Sequence, residues 1–96
     1  MKARFLAAAL DEFEDAHLYY ERRRMGLGDE FVEEVEETVE RITSHPYGWS
    51  GLSDGERLCR THRFPYGVVY RVDENEVVIV AVTHLHRKPD YWKRRD

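Results

Sequence analysis

The stretches FPYGVVYRV at residues 64–72 and VVIVAV at residues 77–82 decide the fold of this chain. Their β-branched and aromatic residues favour extended backbone, and the polar residues 73–76 between them are typical of a turn. We therefore predict a β-hairpin that pairs residues 68–72 with residues 77–83. The second stretch lacks any alternation of apolar and polar residues, which indicates a central strand covered on both faces.

Two shorter segments outside the hairpin also have strand character. Residues 57–64 alternate, with Leu58, Arg60 and His62 predicted on one face, and the glycine- and serine-rich residues 47–56 before them are predicted to form a loop. Residues 2–6 are predicted to form a short opening strand, with the alternative that the following alanines draw them into a helix.

Two amphipathic helices are predicted in the first half of the chain. The first runs from about Ala7 to the basic residues 22–24, and a break is expected at Met25–Gly28, where two glycines supply positive φ angles. Its buried stripe is predicted to consist of Leu6, Ala9, Leu10, Phe13, Ala16 and Tyr20.

The second helix is predicted from about Asp29 to His45, because Pro46 pushes the residue before it out of the helical region. Its buried stripe is predicted to be Leu27, Phe31, Val35, Val39 and Ile42, with Glu33, Glu34, Glu36, Glu37 and Glu40 facing water or a partner. A short connection between two helices predicts an antiparallel helical hairpin.

These elements predict an α+β fold in the order β-α-α-β-β-β, with the helical hairpin packed on a small, mainly antiparallel sheet. A length of 96 residues suits a single domain over residues 1–96. No segment approaches the roughly 20 apolar residues that cross a bilayer, so we expect no membrane association and no signal peptide. The lone Cys59 suits a reducing cytoplasm and is expected to be a small buried hydrophobe.

Charge is distributed unevenly along the chain. Residues 1–48 carry six Lys/Arg and twelve Asp/Glu, a net −6, whereas residues 49–96 carry nine Lys/Arg and seven Asp/Glu, a net +2. This asymmetry suggests a polyanionic partner for one face, although acidic residues that merely solvate the helices account for most of the first-half charge.

Several phrases occur in a characteristic order along almost the whole chain. They are Tyr19-Tyr20-Glu21, residues 26–31, residues 42–46, residues 57–60, Phe64-Pro65-Tyr66 with residues 69–72, and His84-x-x-Arg87-x-Pro89-x-Tyr91-Trp92. Together they resemble the RelE/ParE superfamily of type II toxin–antitoxin toxins, a group often labelled plasmid stabilisation proteins.

The resemblance implies a growth-arresting toxin held inactive in an oligomer with a cognate antitoxin, whose C-terminal segment lies over the toxin's helices and sheet. It also implies two alternative modes of action. RelE-like members cut mRNA in the ribosomal A site, and ParE-like members inhibit DNA gyrase without cutting anything themselves. A non-toxic, antitoxin-binding module is a third alternative.

If the chain is an enzyme, it is expected to be a metal-independent mRNA endoribonuclease. Such a reaction needs a group that activates the 2′-hydroxyl, positive charge on the scissile phosphate and a proton for the leaving oxygen. His84 suits the acid–base role, Arg60 and Arg87 suit the phosphate, and Tyr91 or the neighbouring Trp92 suits base stacking. No cofactor is expected, and the pair His84-x-His86 is a weak zinc signal because no cysteine or carboxylate accompanies it.

Two positions depart from the pattern of the RelE-like nucleases. The residue after the hairpin aromatic, usually Arg in those enzymes, is Gly67, and a second basic position is occupied by Leu58. Tyr91 also falls slightly nearer to Arg87 than the nuclease tyrosine does. These departures favour a ParE-like or divergent toxin. The candidate residues also have structural alternatives: His84 fixing the chain end, Arg60 pairing with helix glutamates, and Tyr91 packing as a lid on the core.

Overall fold

Five strands and two helices make up most of residues 1–95, the part of the chain described by this computed structural model. The elements are β1 (Lys2–Phe5), α1 (Ala7–Arg23), α2 (Leu27–Ser44), β2 (Ser50–Gly51), β3 (Arg57–Arg60), β4 (Tyr66–Asp73) and β5 (Glu76–His84). The sheet order is β1-β5-β4-β3-β2, with β1 parallel to β5 and every other pair antiparallel. The predicted α+β fold is confirmed, and neither helix in this part of the chain has the length and apolar content to span a membrane.

Two predicted boundaries were wrong in the region before the hairpin. The two-residue strand β2 lies inside the predicted loop and pairs with β3. Strand β3 ends at Arg60 instead of continuing to residue 64, because Thr61 closes a turn there. The Thr61 hydroxyl donates to the Phe64 carbonyl at 2.8 Å, and the Thr61 amide donates to the Tyr66 carbonyl at 3.0 Å.

Strand β5 is central and is covered on both faces, as its uninterrupted apolar run predicted. Val77, Ile79 and Val82 join the core beneath the helices, whereas Val78, Val80 and Ala81 join a second cluster on the outer face of the sheet. The change in alternation results from a β-bulge. Pairing with β4 passes from Val69–Ala81 to Tyr70–Ile79, which leaves Val80 as an extra residue.

The helical layer packs on the sheet through a cluster of aromatic rings centred on Phe31. Its ring centroid lies 5.0–6.0 Å from those of Phe13, Tyr20, Phe64 and Tyr66. Phe31 is completely buried, so this cluster joins both helices to the start of the hairpin.

Three residues of the predicted helix faces are placed differently. Leu6 precedes α1 and packs in the outer cluster of the sheet instead of beneath the helix. Leu10 is 45% exposed, because it lies at the margin of the α1 stripe and not beneath it. Glu34 is buried, and its carboxylate accepts a hydrogen bond from the Arg63 amide at 2.8 Å. The turn after β3 lies under α2 at this point, so the carboxylate satisfies a buried backbone donor that the sheet leaves unpaired.

Helix α2 begins at Leu27, two residues before the predicted start, after a left-handed Gly26 with φ of 87°. Glu21, near the end of α1, holds this connection. Its carboxylate accepts from the amides of Gly26 and Gly28, both at 2.9 Å. A carboxylate at a helix N-terminus also interacts favourably with the helix dipole, and these hydrogen bonds lower the pKa of Glu21.

Replacing Gly28 with alanine is expected to lower the free energy of unfolding by about 1–3 kcal/mol. A Cβ at this position would lie 2.6 Å from the His17 backbone oxygen and 2.8 Å from Glu21 Oε1, so α1 and α2 would have to separate. Urea unfolding would measure the loss. Gly51→Ala is the matched control, since a Cβ there meets nothing within 4 Å. Equal stabilities of the two variants would contradict close helix packing at Gly28.

Candidate functional site

A cleft of about 230 Å³ opens at the C-terminal end of β5, between that strand and α1. His84, Arg87 and Tyr66 line it from the sheet side, and Glu12 and Tyr19 line it from the helix. A guanidinium, an imidazole, carboxylates and aromatic hydroxyls therefore converge on one concavity, which makes this cleft the candidate functional site.

The cleft exists because β1 is shorter than its neighbour. Strand β1 pairs only with residues 76–79 of β5, and the Leu6 amide makes the last bond of that ladder, to the Ile79 carbonyl at 3.0 Å. The chain then turns into α1, so the β5 edge from Val80 onward has no strand beside it. Side chains take the place of a strand here: the Val82 amide donates to Glu12 at 3.1 Å, and Arg95 donates to the Val80 carbonyl at 3.1 Å.

Glu12 is the hub of the site, and it was not among the residues predicted from the sequence. Its side chain is 15% exposed and accepts hydrogen bonds from the Tyr91 hydroxyl at 2.7 Å and from both terminal nitrogens of Arg95 at 2.9 and 3.2 Å. A signal was present in the sequence. Glu12 lies three residues after Ala9 and four before Ala16, both buried, so helical spacing puts this carboxylate on the buried side of α1.

Arg87 and Tyr91 lie together beside Glu12. The Arg87 guanidinium carbon is 3.9 Å from the centroid of the Tyr91 ring, a cation–π contact, and its Nη1 is 3.9 Å from Glu12 Oε2. Burial raises the pKa of the Tyr91 hydroxyl, and its hydrogen bond to Glu12 raises it further. Tyr91 is therefore held as a neutral hydrogen-bond donor.

His84 stands at the last position of β5 with its ring against two others. The ring centroid is 5.2 Å from that of Tyr66 and 5.2 Å from that of His86. Its Nδ1 accepts a hydrogen bond from the His86 amide at 3.1 Å, which leaves the proton of the neutral imidazole on Nε2. The imidazole thus holds the turn that follows the strand.

Arg60 lies on the other face of the sheet from His84. Arg60 lies two residues after Leu58 on β3, so both side chains are on the same face, and Leu58 packs against the outer cluster. His84 is paired with Tyr66, which packs against the core beneath the helices, so His84 is on the helix-covered face. The Val80 bulge is responsible, because without the extra residue His84 would share the face of Arg60. The structure therefore brings His84, Arg87 and Tyr91 together at the cleft and leaves Arg60 apart from them.

Residues 85–95, which we call the C-terminal strap, cross the outer face of the sheet. Trp92 is buried there against the outer cluster and donates from Nε1 to Glu56 at 3.0 Å. Lys93 pairs with Asp54 at 2.6 Å, and Arg95 pairs with Glu12. These contacts hold the strap at both sides of the sheet. The positions of Arg87 and Tyr91, which lie in the strap, therefore depend on the contacts of Trp92, Lys93 and Arg95.

Comparison with known proteins identifies the family. Residues 3–89 match the family model described as "ParE toxin of type II toxin-antitoxin system, parDE". The chain belongs to the ParE toxin family. A solved chain from the "Chromosomal ParDE TA system from P. aeruginosa" has the same fold, with a TM-score of 0.66, 17% sequence identity, and coverage of 88% of this chain and 95% of that chain. No curated protein sequence matches significantly.

The ParE family match confirms the resemblance to the RelE/ParE superfamily. The match ends at residue 89, so Tyr91, Trp92 and Arg95 of the strap lie beyond it. The hub carboxylate Glu12 thus joins the matched region to residues outside it, through its contacts with Tyr91 and Arg95.

A cluster of possible metal ligands lies away from the cleft. Within residues 1–95, three such side chains come together at the α1–α2 connection, where His17, Glu21 and Asp29 place one ligand atom each within 4.8 Å of the others. The carboxylate of Glu21 is already engaged by the amides of Gly26 and Gly28. Its structural task there is to hold the turn.

Proposed function

We propose that this ParE-family chain is a growth-arresting toxin that is neutralised by a cognate antitoxin and acts on DNA gyrase without cleaving mRNA. The membership of the family supports the toxin assignment. The choice of target rests on one observation at the two positions where the sequence departs from the RelE-like nucleases.

That observation is apolar packing where a nuclease would carry positive charge. A Cβ at Gly67 would lie 2.6 Å from Leu58 Cδ1 and 3.1 Å from Leu85 Cδ2. The two expected basic positions are therefore diagonal neighbours on β3 and β4, where Leu58 pairs with Val69 and Gly67 pairs with Arg60, and leucine side chains fill the space above the glycine. An arginine at residue 67 would have no room without displacing the strap, which begins with Leu85.

The separation of the candidate catalytic groups points the same way. Arg60 and His84 lie on opposite faces of the sheet, so one phosphodiester could not contact both while the sheet is intact. Arg87 is the remaining cation among the candidates, and it stacks on Tyr91 without a second candidate cation to share the charge of a phosphate. This environment suits recognition of a partner better than stabilisation of a developing negative charge.

The antitoxin is expected to cover an apolar groove between the two helices. Leu10, Phe13 and His17 of α1 line it together with Val32 of α2, and Leu10 is 45% exposed. An amphipathic segment could bury this surface, in the helix-in-groove mode of peptide recognition. The position agrees with the resemblance, which implies that the antitoxin segment lies over the helices.

Two assays on the purified protein test the proposal. We expect it to inhibit DNA supercoiling by gyrase, and to leave mRNA intact when primer extension follows a reconstituted translation reaction. Cuts that require ribosomes and disappear in His84→Ala and Arg87→Ala proteins would instead establish the RelE-like alternative, an mRNA endoribonuclease. A folded protein that does neither and leaves bacterial growth unchanged would be a non-toxic, antitoxin-binding module.

Coexpression with a cognate antitoxin tests the antitoxin partner. Neutralisation should restore growth, and Leu10→Asp should weaken it because a charge would enter the apolar groove. Asp11→Asn, at the adjacent exposed residue, serves as the control. Unchanged neutralisation of Leu10→Asp would place the antitoxin on another surface.

A further inference from the structure

Two guanidinium groups approach the single carboxylate of Glu12, and they do so unequally. Arg95 contacts both carboxylate oxygens, at 2.9 and 3.2 Å, with only 21% of its side chain exposed. Arg87 approaches no closer than 3.9 Å, and 58% of its side chain is exposed. Arg95 is therefore the counter-ion of Glu12, because bidentate contact at short distance is the strong geometry. The charge of Arg87 is left largely uncompensated at the rim of the cleft.

The orientation of Arg87 depends on the same pair through Tyr91. The Tyr91 ring carries Arg87 at 3.9 Å from its centroid, and the Arg95 guanidinium carbon lies 5.2 Å from that centroid. The Tyr91 hydroxyl is fixed by Glu12 at 2.7 Å. The ring is thus held by the Glu12–Arg95 pair, and Arg87 rests on the ring.

We propose that Glu12 and Arg95 are positioning residues that fix Tyr91 and thereby present Arg87 to a carboxylate on the toxin's protein target. This inference rests on the proposed function and names the chemistry by which the site would recognise its partner. A guanidinium that is already oriented loses less conformational entropy on binding than a free one, so a displaced Tyr91 would weaken the contact.

A carboxylate fits this site better than a nucleic-acid phosphate. Among the described residues that line the cleft, Arg87 is the one arginine or lysine, and the carboxylates of Glu12 and Asp15 lie beside it. A row of phosphates would meet those carboxylates, whereas a single carboxylate can approach Arg87 from its exposed side. The cleft therefore suits one localised negative charge.

A double-mutant cycle on Glu12→Gln and Arg87→Ala tests this role. Each single variant is expected to raise the protein concentration needed for half-inhibition of gyrase by about tenfold, and the double variant should be no weaker than Arg87→Ala alone. Glutamine preserves the size of Glu12 and an acceptor for the Val82 amide while removing the charge. Asp11→Asn, the same chemical change at the adjacent exposed residue, should leave inhibition unchanged.

Trp92 fluorescence separates positioning from simple loss of structure. In a Trp49→Phe background Trp92 is the remaining tryptophan, and Glu56 should keep it buried in every variant, so its emission should not shift. A red shift in Glu12→Gln would show that the strap detaches, which would overturn the positioning role. The positioning role would also be overturned if Glu12→Gln weakened gyrase inhibition equally in the wild-type and Arg87→Ala backgrounds, or did not weaken it at all.

The outcome for the wild-type protein distinguishes this inference from the proposed function. If the wild type arrests growth without inhibiting gyrase, the assigned target is wrong. The double-mutant cycle is then measured as the inducer concentration that halves growth in each variant. A wild type that does neither removes the proposed function and this inference together. Binding of a DNA duplex by the wild type that is lost in Arg87→Ala would overturn the choice of a carboxylate.

Discussion

Truncating Trp92 to alanine is expected to lower the free energy of unfolding by about 3–5 kcal/mol, the range typical of a buried tryptophan. The side chain is 6% exposed and packs on the outer cluster formed by Val69, Val78, Val80 and Ala81. Alanine would leave a cavity between the strap and the sheet. It would also remove the donor to Glu56, a buried carboxylate that would then lack one hydrogen bond.

Urea unfolding followed by circular dichroism measures this loss. Lys88→Ala is the control within the strap, because Lys88 is exposed, and it should change stability by no more than about 0.5 kcal/mol. Trp92→Phe should lie between the two, since it retains most of the apolar contact and loses the hydrogen bond. A loss below about 1 kcal/mol in Trp92→Ala would mean that the strap is not part of the core.

The strap explains how a small sheet can bury a central strand on both faces. Two helices cover one face, but the other face is covered by a segment without regular secondary structure. Its polar contacts include side chains from distant parts of the chain, Glu12 on α1 and Asp54 and Glu56 before β3. Packing and ion pairs thus fix the segment that carries Arg87, so the stability of the outer face and the geometry of the cleft are linked.

Much of the fold was predictable from local patterns. The β-branched run at residues 77–82 predicted a central strand, and the stripe containing Phe31 and Val35 predicted the buried face of α2. Both predictions are confirmed, because burial of apolar side chains dominates the placement of these elements. The short strand β2 was missed, since two residues rich in small side chains carry no periodic signal.

The site was less predictable, for reasons that concern individual residues. Glutamates on a helix are usually solvated, yet Glu12 and Glu34 point inward. Their carboxylates accept hydrogen bonds from the amides of Val82 and Arg63, which have no strand partner in the sheet. The separation of Arg60 from His84 depends on the Val80 bulge, which a continuous run of apolar residues conceals. Charged groups of the site are therefore placed by tertiary context and not by sequence spacing.

Tyr70 is expected to make the protein lose stability in alkali. It is completely buried on β4, and its hydroxyl donates to the Pro46 carbonyl at 2.5 Å. Burial raises the pKa of Tyr70 from 10.0 to about 12, although the nearby positive charge of Arg57 opposes the change. Because the folded-state pKa is the higher one, the stabilising contribution is complete below pH 10 and is lost as the pH rises through 12.

This rise in the pKa of Tyr70 corresponds to at most about 3 kcal/mol of stability, so urea unfolding measured at neutral pH and at pH values above 10 should detect the loss. Tyr70→Phe should be less stable at neutral pH by about 1–2 kcal/mol, because the Pro46 carbonyl loses its donor. It should then decline less steeply above pH 10, since its unfolded chain releases one proton fewer. The exposed Tyr47→Phe should keep the alkaline slope of the wild type. Parallel curves for wild type and Tyr70→Phe would show that the hydroxyl of Tyr70 does not stay protonated in the native state, and alkaline unfolding would then have to originate in other buried groups.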